Sequence, residues 1–204
     1  MADILTELFS SQALVKIMRL FLMNAEEVFD PKDISRRTKT NIRKVNYEIG
    51  LLKKINFIKS GVREIEIVFK NKNPKHKKIK GWQLNQNFAL LRQVRNLVLN
   101  SAPIARNDLL KKFKGLGQKL KLVILTGVFV DGDQSRVDVV VVGDSISRAK
   151  LEGVLKSIES VVGKELKYAL FSIEEFKYRM GMFDHFLREI FDNPHEKLFD
   201  KLNI

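Results

Sequence analysis

Cysteine is absent from the 204 residues. Its absence excludes disulfides, thiol nucleophiles and cysteine-ligated zinc or iron–sulfur centres. Histidine is scarce. His76, His185 and His195 lie far apart and give no metal-ligand spacing. No metal and no cofactor is therefore expected. Long apolar runs are missing too. The longest, Leu122 to Val130, is broken by Thr126 and Gly127 and falls far short of the ~20 residues a spanning helix needs, so no membrane partner is expected. The opening residues, Met1 to Glu7, lack a basic run, and a cytoplasmic location is expected. No Walker loop and no Gly-x-Ser-x-Gly elbow occurs. Gly115-Leu-Gly117 lacks the rest of a dinucleotide fingerprint and reads as a helix end. One Trp and three Tyr stand beside 14 Phe, which is a core-building aromatic set rather than a base-stacking platform.

What the chain has in excess is positive charge. There are 37 Lys and Arg against 24 Asp and Glu, a formal net charge of +13. A protein so basic usually meets a polyanion. Residues 1–100 carry +11 and residues 101–204 only +2, and the window 32–80 alone carries +12. One half of the chain can face a polyanion well and the other cannot.

Residues 11–23 place apolar side chains at 14, 17, 18 and 21, the stripe of an amphipathic helix, with Ser10 or Ser11 as its cap and Asn24 at its end. Asp30 before Pro31 is a second helix start, with Phe29 and Ile34 set as a hydrophobic staple. This predicts a short helix over 31–37. The turn Thr38-Lys39-Thr40 follows, and Thr40 is the expected cap of a third helix, 41–54. Ile42, Val45, Ile49 and Leu52 form its apolar face. Asn41, Arg43, Lys44, Asn46, Tyr47 and Lys54 form the other. From Phe57 the pattern turns to β, and Val62–Phe69 alternates with period two as a half-buried strand does. Lys70–Gly81 holds six lysines, Pro74 and His76, and reads as a polar loop. Trp82-Gln83-Leu84 reads as the returning strand.

Over residues 8–87 this order resembles the small winged helix-turn-helix transcriptional regulators of bacteria and archaea. The resemblance implies double-stranded DNA as partner, with Arg36, Arg37, Lys39, Thr40, Asn41, Arg43, Lys44, Asn46 and Tyr47 on the helical reader. Lys70, Lys72, Lys75, Lys77, Lys78 and Lys80 would lie on the wing. The chemistry agrees. A helix fits the major groove, where Arg, Asn and Lys can read base edges. Wing lysines supply phosphate affinity without sequence information.

Residues 88–104 read as a linking helix followed by a break at Asn100–Pro103. Residues 105–204 then give a short helix from Asn107 or Asp108, strands over Leu120–Val130 and Val137–Val142, and a helix over Ser147–Val162. A strand over Leu166–Phe171 follows. Ser172–Glu175 forms a capping box on a helix near 173–180. Phe183–Phe191 is expected to be helical and to pack, and a last helix is expected from Pro194. The fold class is α+β: a winged helix-turn-helix over 1–87 and a small α/β domain over 105–204.

Strand, glycine, turn and strand resemble the minimal polymerase-β-type nucleotidyltransferase domain. In that family a Gly-Ser pair holds triphosphate. An Asp-x-Asp on the second strand, with a third carboxylate from a later strand, binds two Mg²⁺. Here Gly127 matches, but Val128 replaces the serine. Asp138 matches the second aspartate, but Arg136 replaces the first. The third position falls near Lys167 or Tyr168. Asp131 and Asp133 sit on a glycine-containing turn and read as turn formers. The resemblance thus implies an inactive domain.

The expected function is a DNA-binding transcriptional regulator whose second domain serves dimerisation or effector sensing. Its expected partner besides DNA is a second copy, through Ile4, Leu5, Leu8, Phe9 and the helix 88–99. The alternatives are an active nucleotidyltransferase with a rearranged site, or an RNA- or ribosome-binding adaptor.

Overall fold

The computed structural model describes residues 4–69, 72–99, 104–130 and 135–204, with the side chains of 65–69 and 72–75 outside that description. The fold is mixed α+β. It divides into two compact units, Met1–Ile104 with Glu159–Lys164, and Ala105–Ile158 with Glu165–Ile204.

In the first unit α1 (Ile4–Phe9) and α2 (Gln12–Met23) precede α3 (Pro31–Thr38) and α4 (Ile42–Lys54). The strands β1 (Ile58–Phe69) and β2 (Lys72–Leu84) follow, and then α5 (Leu91–Leu99). Ser11 caps α2 by accepting from the Leu14 amide. α2 is buried almost all round because α1, α3, α4 and α5 pack on it. Its Ile17, Leu20 and Phe21 form one core with Phe29, Ile34, Val45, Leu52 and Phe57. Leu5 and Phe9, expected at a subunit interface, are packed into this core instead, as are Leu91, Val94, Val98 and Leu99 of α5. Short apolar elements must bury what they have on the nearest core. Ile4 of α1, in contrast, is 81% exposed, and Leu8 is exposed with it.

β1 and β2 form an antiparallel ribbon whose register runs from Ile58 opposite Leu84 through Gly61 opposite Gly81 to Phe69 opposite Lys72. The expected loop 70–81 is therefore strand over its described residues, His76 included. Lysine is a poor strand former, but each Lys here faces a partner across the ribbon, as Lys78 faces Glu64 and Lys80 faces Val62. Pro74 fits because a two-stranded ribbon has free edges. At its base the ribbon gains a third partner. The Phe29 amide donates to the Trp82 carbonyl at 2.9 Å, and the Trp82 amide returns the bond to Phe29 at 2.8 Å.

In the second unit α6 (Arg106–Lys114) leads into β3 (Leu120–Leu125), a 3-10 turn (Gly127–Phe129) and β4 (Val139–Gly143). Then come α7 (Arg148–Val162), β5 (Tyr168–Phe171), α8 (Ile173–Gly181), α9 (His185–Asp192) and β6 (Glu196–Asp200). The sheet order is β5-β4-β3-β6, with β4 and β5 parallel and the other pairs antiparallel. β3 and β4 are buried along nearly their whole length, as continuous apolar strands require. Leu122, Ile124, Val140 and Val142 pack under Phe171, Phe176, Leu187 and Ile190, with Phe186 and Phe191 beside them. Phe183 does not follow. It precedes α9, holds a left-handed φ of 54° and is 77% exposed.

The helix expected from Pro194 is a strand. β6 lies along the free edge of β3 and buries Leu198. A pairing edge distant in sequence outweighs the local helix-start signal of a proline.

The ribbon's attachment sets a narrow steric limit. A Cβ on Gly81 would lie 2.4 Å from the Phe29 carbonyl oxygen and 2.7 Å from its carbon. Gly81→Ala is expected to destabilise the first unit by about 1–3 kcal/mol and to speed amide exchange at Phe29 and Trp82. Gly153→Ala on α7, where a methyl meets nothing, is expected to stabilise by about 0.5–1 kcal/mol. Denaturant unfolding with hydrogen exchange reads both.

Candidate nucleic-acid interface

α3 begins as its sequence dictates. Asp30 accepts from the Asp33 amide at 2.9 Å, and Pro31 occupies the first turn. Ile34 and Thr38 face the core, and the Thr38 hydroxyl is satisfied by the Ile34 carbonyl. The helix stops at Lys39, which adopts a left-handed φ of 50°. Ser35 then fixes the turn, donating its hydroxyl to the Thr40 carbonyl at 2.7 Å while its own carbonyl accepts from the Thr40 amide.

The cap of α4 is Asn41, whose side chain accepts from the Arg43 amide at 2.9 Å, not Thr40. With Asn41 as cap the buried face of α4 is Val45, Glu48, Ile49 and Leu52. Ile42, expected on that face, is exposed in the first turn of α4. Glu48 is missed by a reading of apolar residues alone, although its spacing from Val45 and Leu52 puts it on the buried face. It is 1% exposed, accepts from the Ser11 hydroxyl at 2.6 Å and pairs with Lys44 Nζ at 2.8 Å. A polar letter on a helix reads as an outer position unless its partner, here on α2, is known.

Internal pairing sorts the predicted basic residues. Arg36 pairs with Asp33 at 3.0 Å, and Arg63 of β1 shares the same carboxylate in close contact. Arg37 meets Glu27 at 3.5 Å and lies over the Phe29 ring. Lys44 is held by Glu48 and stands 4.9 Å from the centre of the Tyr47 ring. Lys78 meets Glu64 across the ribbon at 3.3 Å. Lys39, Arg43, Lys54, Lys77 and Lys80 form no ion pair among the described residues. All five are exposed. Asn46 is exposed beside them, and Tyr47 is 62% exposed. Lys70 lies outside the described residues, as do the side chains of Lys72 and Lys75.

Because Lys77 and Lys78 are consecutive on a strand, they point to opposite faces of the ribbon. Lys80 shares the face of Lys78, opposite Val62 and Glu64. Lys77, Lys78 and Lys80 are thus a two-sided array on a strand, not part of the flexible loop that their composition suggests.

The second candidate centre is built differently. Gly127 turns the chain after β3 with φ 53°, and a Cβ there would lie 2.5 Å from Asp138 Oδ1. Asp138 is 4% exposed. Its Oδ1 accepts from the Val128 amide at 3.2 Å and its Oδ2 from the Lys167 amide at 2.9 Å. The carboxylate thus ties the exit of β3, the entry of β4 and the segment before β5. Arg136 pairs with Glu189 of α9 at 2.9 Å. At the third position Lys167 contributes only backbone bonds to Asp138, and Tyr168 donates its hydroxyl to Glu152 at 3.4 Å. Asp131 and Asp133 lie outside the described residues. Among the described residues no three His, Asp or Glu side chains gather as a metal site, and no helix is long and apolar enough to cross a membrane.

Asp138→Asn removes the charge and turns one acceptor into a donor facing an N–H. It is expected to lower the stability of the second unit by about 1–3 kcal/mol, read by denaturant unfolding.

Comparison of the chain with protein-family models, with curated proteins and with solved structures found no match.

Proposed function

We propose that the chain is a DNA-binding transcriptional regulator. In this reading residues 1–87 are a winged helix-turn-helix, α4 is the major-groove reader, and the β1–β2 ribbon is a phosphate-binding wing. The observation that carries the reading is the division of α4. One face is locked to the core, and the other presents Arg43, Asn46, Tyr47 and Lys54 to solvent with no carboxylate paired to either cation among the described residues. Arg and Asn are side chains that recognise G and A edges in the major groove. The cations that are paired internally, Arg36, Arg37 and Lys44, hold the frame of the reader rather than read bases.

The residues from 105 onward are proposed to be a nucleotidyltransferase-like domain that does not transfer nucleotides and serves dimerisation or effector sensing. Two facts support this. Asp138 spends both oxygens on backbone amides, and the residue two before it is an arginine paired with Glu189. A two-metal centre needs free carboxylates at these places. The partner of the working protein is proposed to be a second copy, for which Ile4 and Leu8 of α1 and Leu90 and Leu97 beside and on α5 are exposed.

No nucleotide is expected to be transferred from any nucleoside triphosphate in Mg²⁺ or Mn²⁺, and radiolabel transfer that depends on Asp138 would overturn the second proposal. Arg43→Ala is expected to cost about 1–3 kcal/mol on a preferred duplex and less on scrambled duplex. Lys77→Ala and Lys78→Ala are expected to weaken all sequences alike, and unequally, since they occupy opposite faces. Removing one phosphate-binding cation lowers the slope of log K against log salt by about 0.9. Salt titrations on both duplexes measure these effects. A specificity ratio that survives Arg43→Ala but not the wing variants rules out α4 as reader, and a preference for duplex RNA points to the RNA-binding adaptor instead.

A further inference from the structure

α4 contains a glycine that the chain itself does not need. Gly50 lies inside the helix, keeps an ordinary helical backbone, and a Cβ built on it would meet nothing within 4 Å. Glycine inside a helix weakens it relative to alanine. Among the described residues neither a turn nor a close approach compensates for that weakening.

The position of Gly50 gives the glycine a use. At about 100° of rotation per residue, the buried residues Val45, Glu48, Ile49 and Leu52 centre on one side of α4. Arg43, Gly50 and Lys54 fall on the opposite side, within about 40° of one another. Tyr47 and Asn46 flank them. The outermost ridge of the helix therefore carries a large side chain on either side of Gly50 and none at it. The result is a dip with a cation toward each end, and neither cation is paired with a carboxylate among the described residues. A dip of this kind fits a convex, negatively charged edge.

We propose that Gly50 is a close-approach notch in which a phosphodiester strand of duplex DNA rests against the backbone of α4, so that it sets how deeply the helix seats. The proposal builds on the DNA-binding reading and adds the geometry of docking to it. Gly153 of α7 supplies the internal control. It is equally open, but its exposed neighbours Lys150, Glu152 and Lys156 mix both signs.

The test begins by enriching duplexes from a random-sequence pool with the full wild-type chain. Gly50→Ala, Gly50→Leu and Gly153→Ala are then compared for thermal midpoint and for affinity to an enriched duplex. Gly50→Ala is expected to match or exceed the wild-type midpoint while losing affinity about tenfold, and Gly50→Leu more. Gly153→Ala is expected to gain stability and keep full affinity. Unchanged affinity in both Gly50 variants, with Arg43→Ala still impaired, overturns the notch and leaves the DNA-binding reading standing. A lowered midpoint for Gly50→Ala also overturns it, since the glycine would then serve the fold. If the wild-type chain enriches and binds no duplex, the DNA-binding reading falls and the notch with it.

Discussion

The first unit depends on one pair of reciprocal backbone hydrogen bonds, between Phe29 and Trp82. A two-stranded ribbon is at best marginal in water. This one gains a third partner at its base from the residue that immediately precedes the α3 cap. The bond pair therefore fixes two things at once: where the ribbon leaves the body, and where α3 starts. Glycine at 81 is what lets the two backbones come that close. Asp33 reinforces the arrangement from the next turn, because it holds Arg36 of its own helix and Arg63 of the ribbon together. The ribbon is thereby held to the helices by short, directional bonds as well as by the apolar packing of Ile58, Leu84 and Trp82 on the core that orders α2.

Charge is used in two ways in this unit. Where a cation has a nearby carboxylate it stiffens the frame. Lys44 through Glu48 links α4 to Ser11, the cap of α2, so the start of one helix and the orientation of another share a buried group. Exposed pairs add little stability one by one. Their consequence is selection: they subtract cations from the surface and leave a smaller, more defined set facing outward. The 16 lysines and arginines of residues 32–80 thus overstate the number of unpaired cations a polyanion would meet.

Much of this was legible from residue order. The Asp30-Pro31 start, the Ser11 cap, the apolar positions 45, 49 and 52, and the Ser172 cap of α8 follow from local rules that depend on neighbours a few places away. What escaped depended on distant partners. β2 reads as loop because lysine and proline are weak strand formers, and only the opposing strand makes a ladder of them. β6 reads as a helix start until the free edge of β3 is known. Asp138 matches a metal ligand by spacing, yet the Gly127 turn and the Lys167 amide are what it serves. In the candidate interface, composition predicted which residue types would be exposed but not which cations would be neutralised, since Glu27, Asp33 and Glu48 reach theirs through tertiary packing or one turn of helix.

The late position of β6 in the chain has a consequence for synthesis. β3 is made early in the second unit, as an almost unbroken apolar strand, but the strand that covers its outer edge emerges more than 70 residues later. Until then the Leu122–Leu125 edge presents open backbone donors and acceptors, which is the geometry that recruits other strands. A chain cut or stalled before Glu196 would keep that edge open and be prone to self-association, even though every helix of the second unit had already been made.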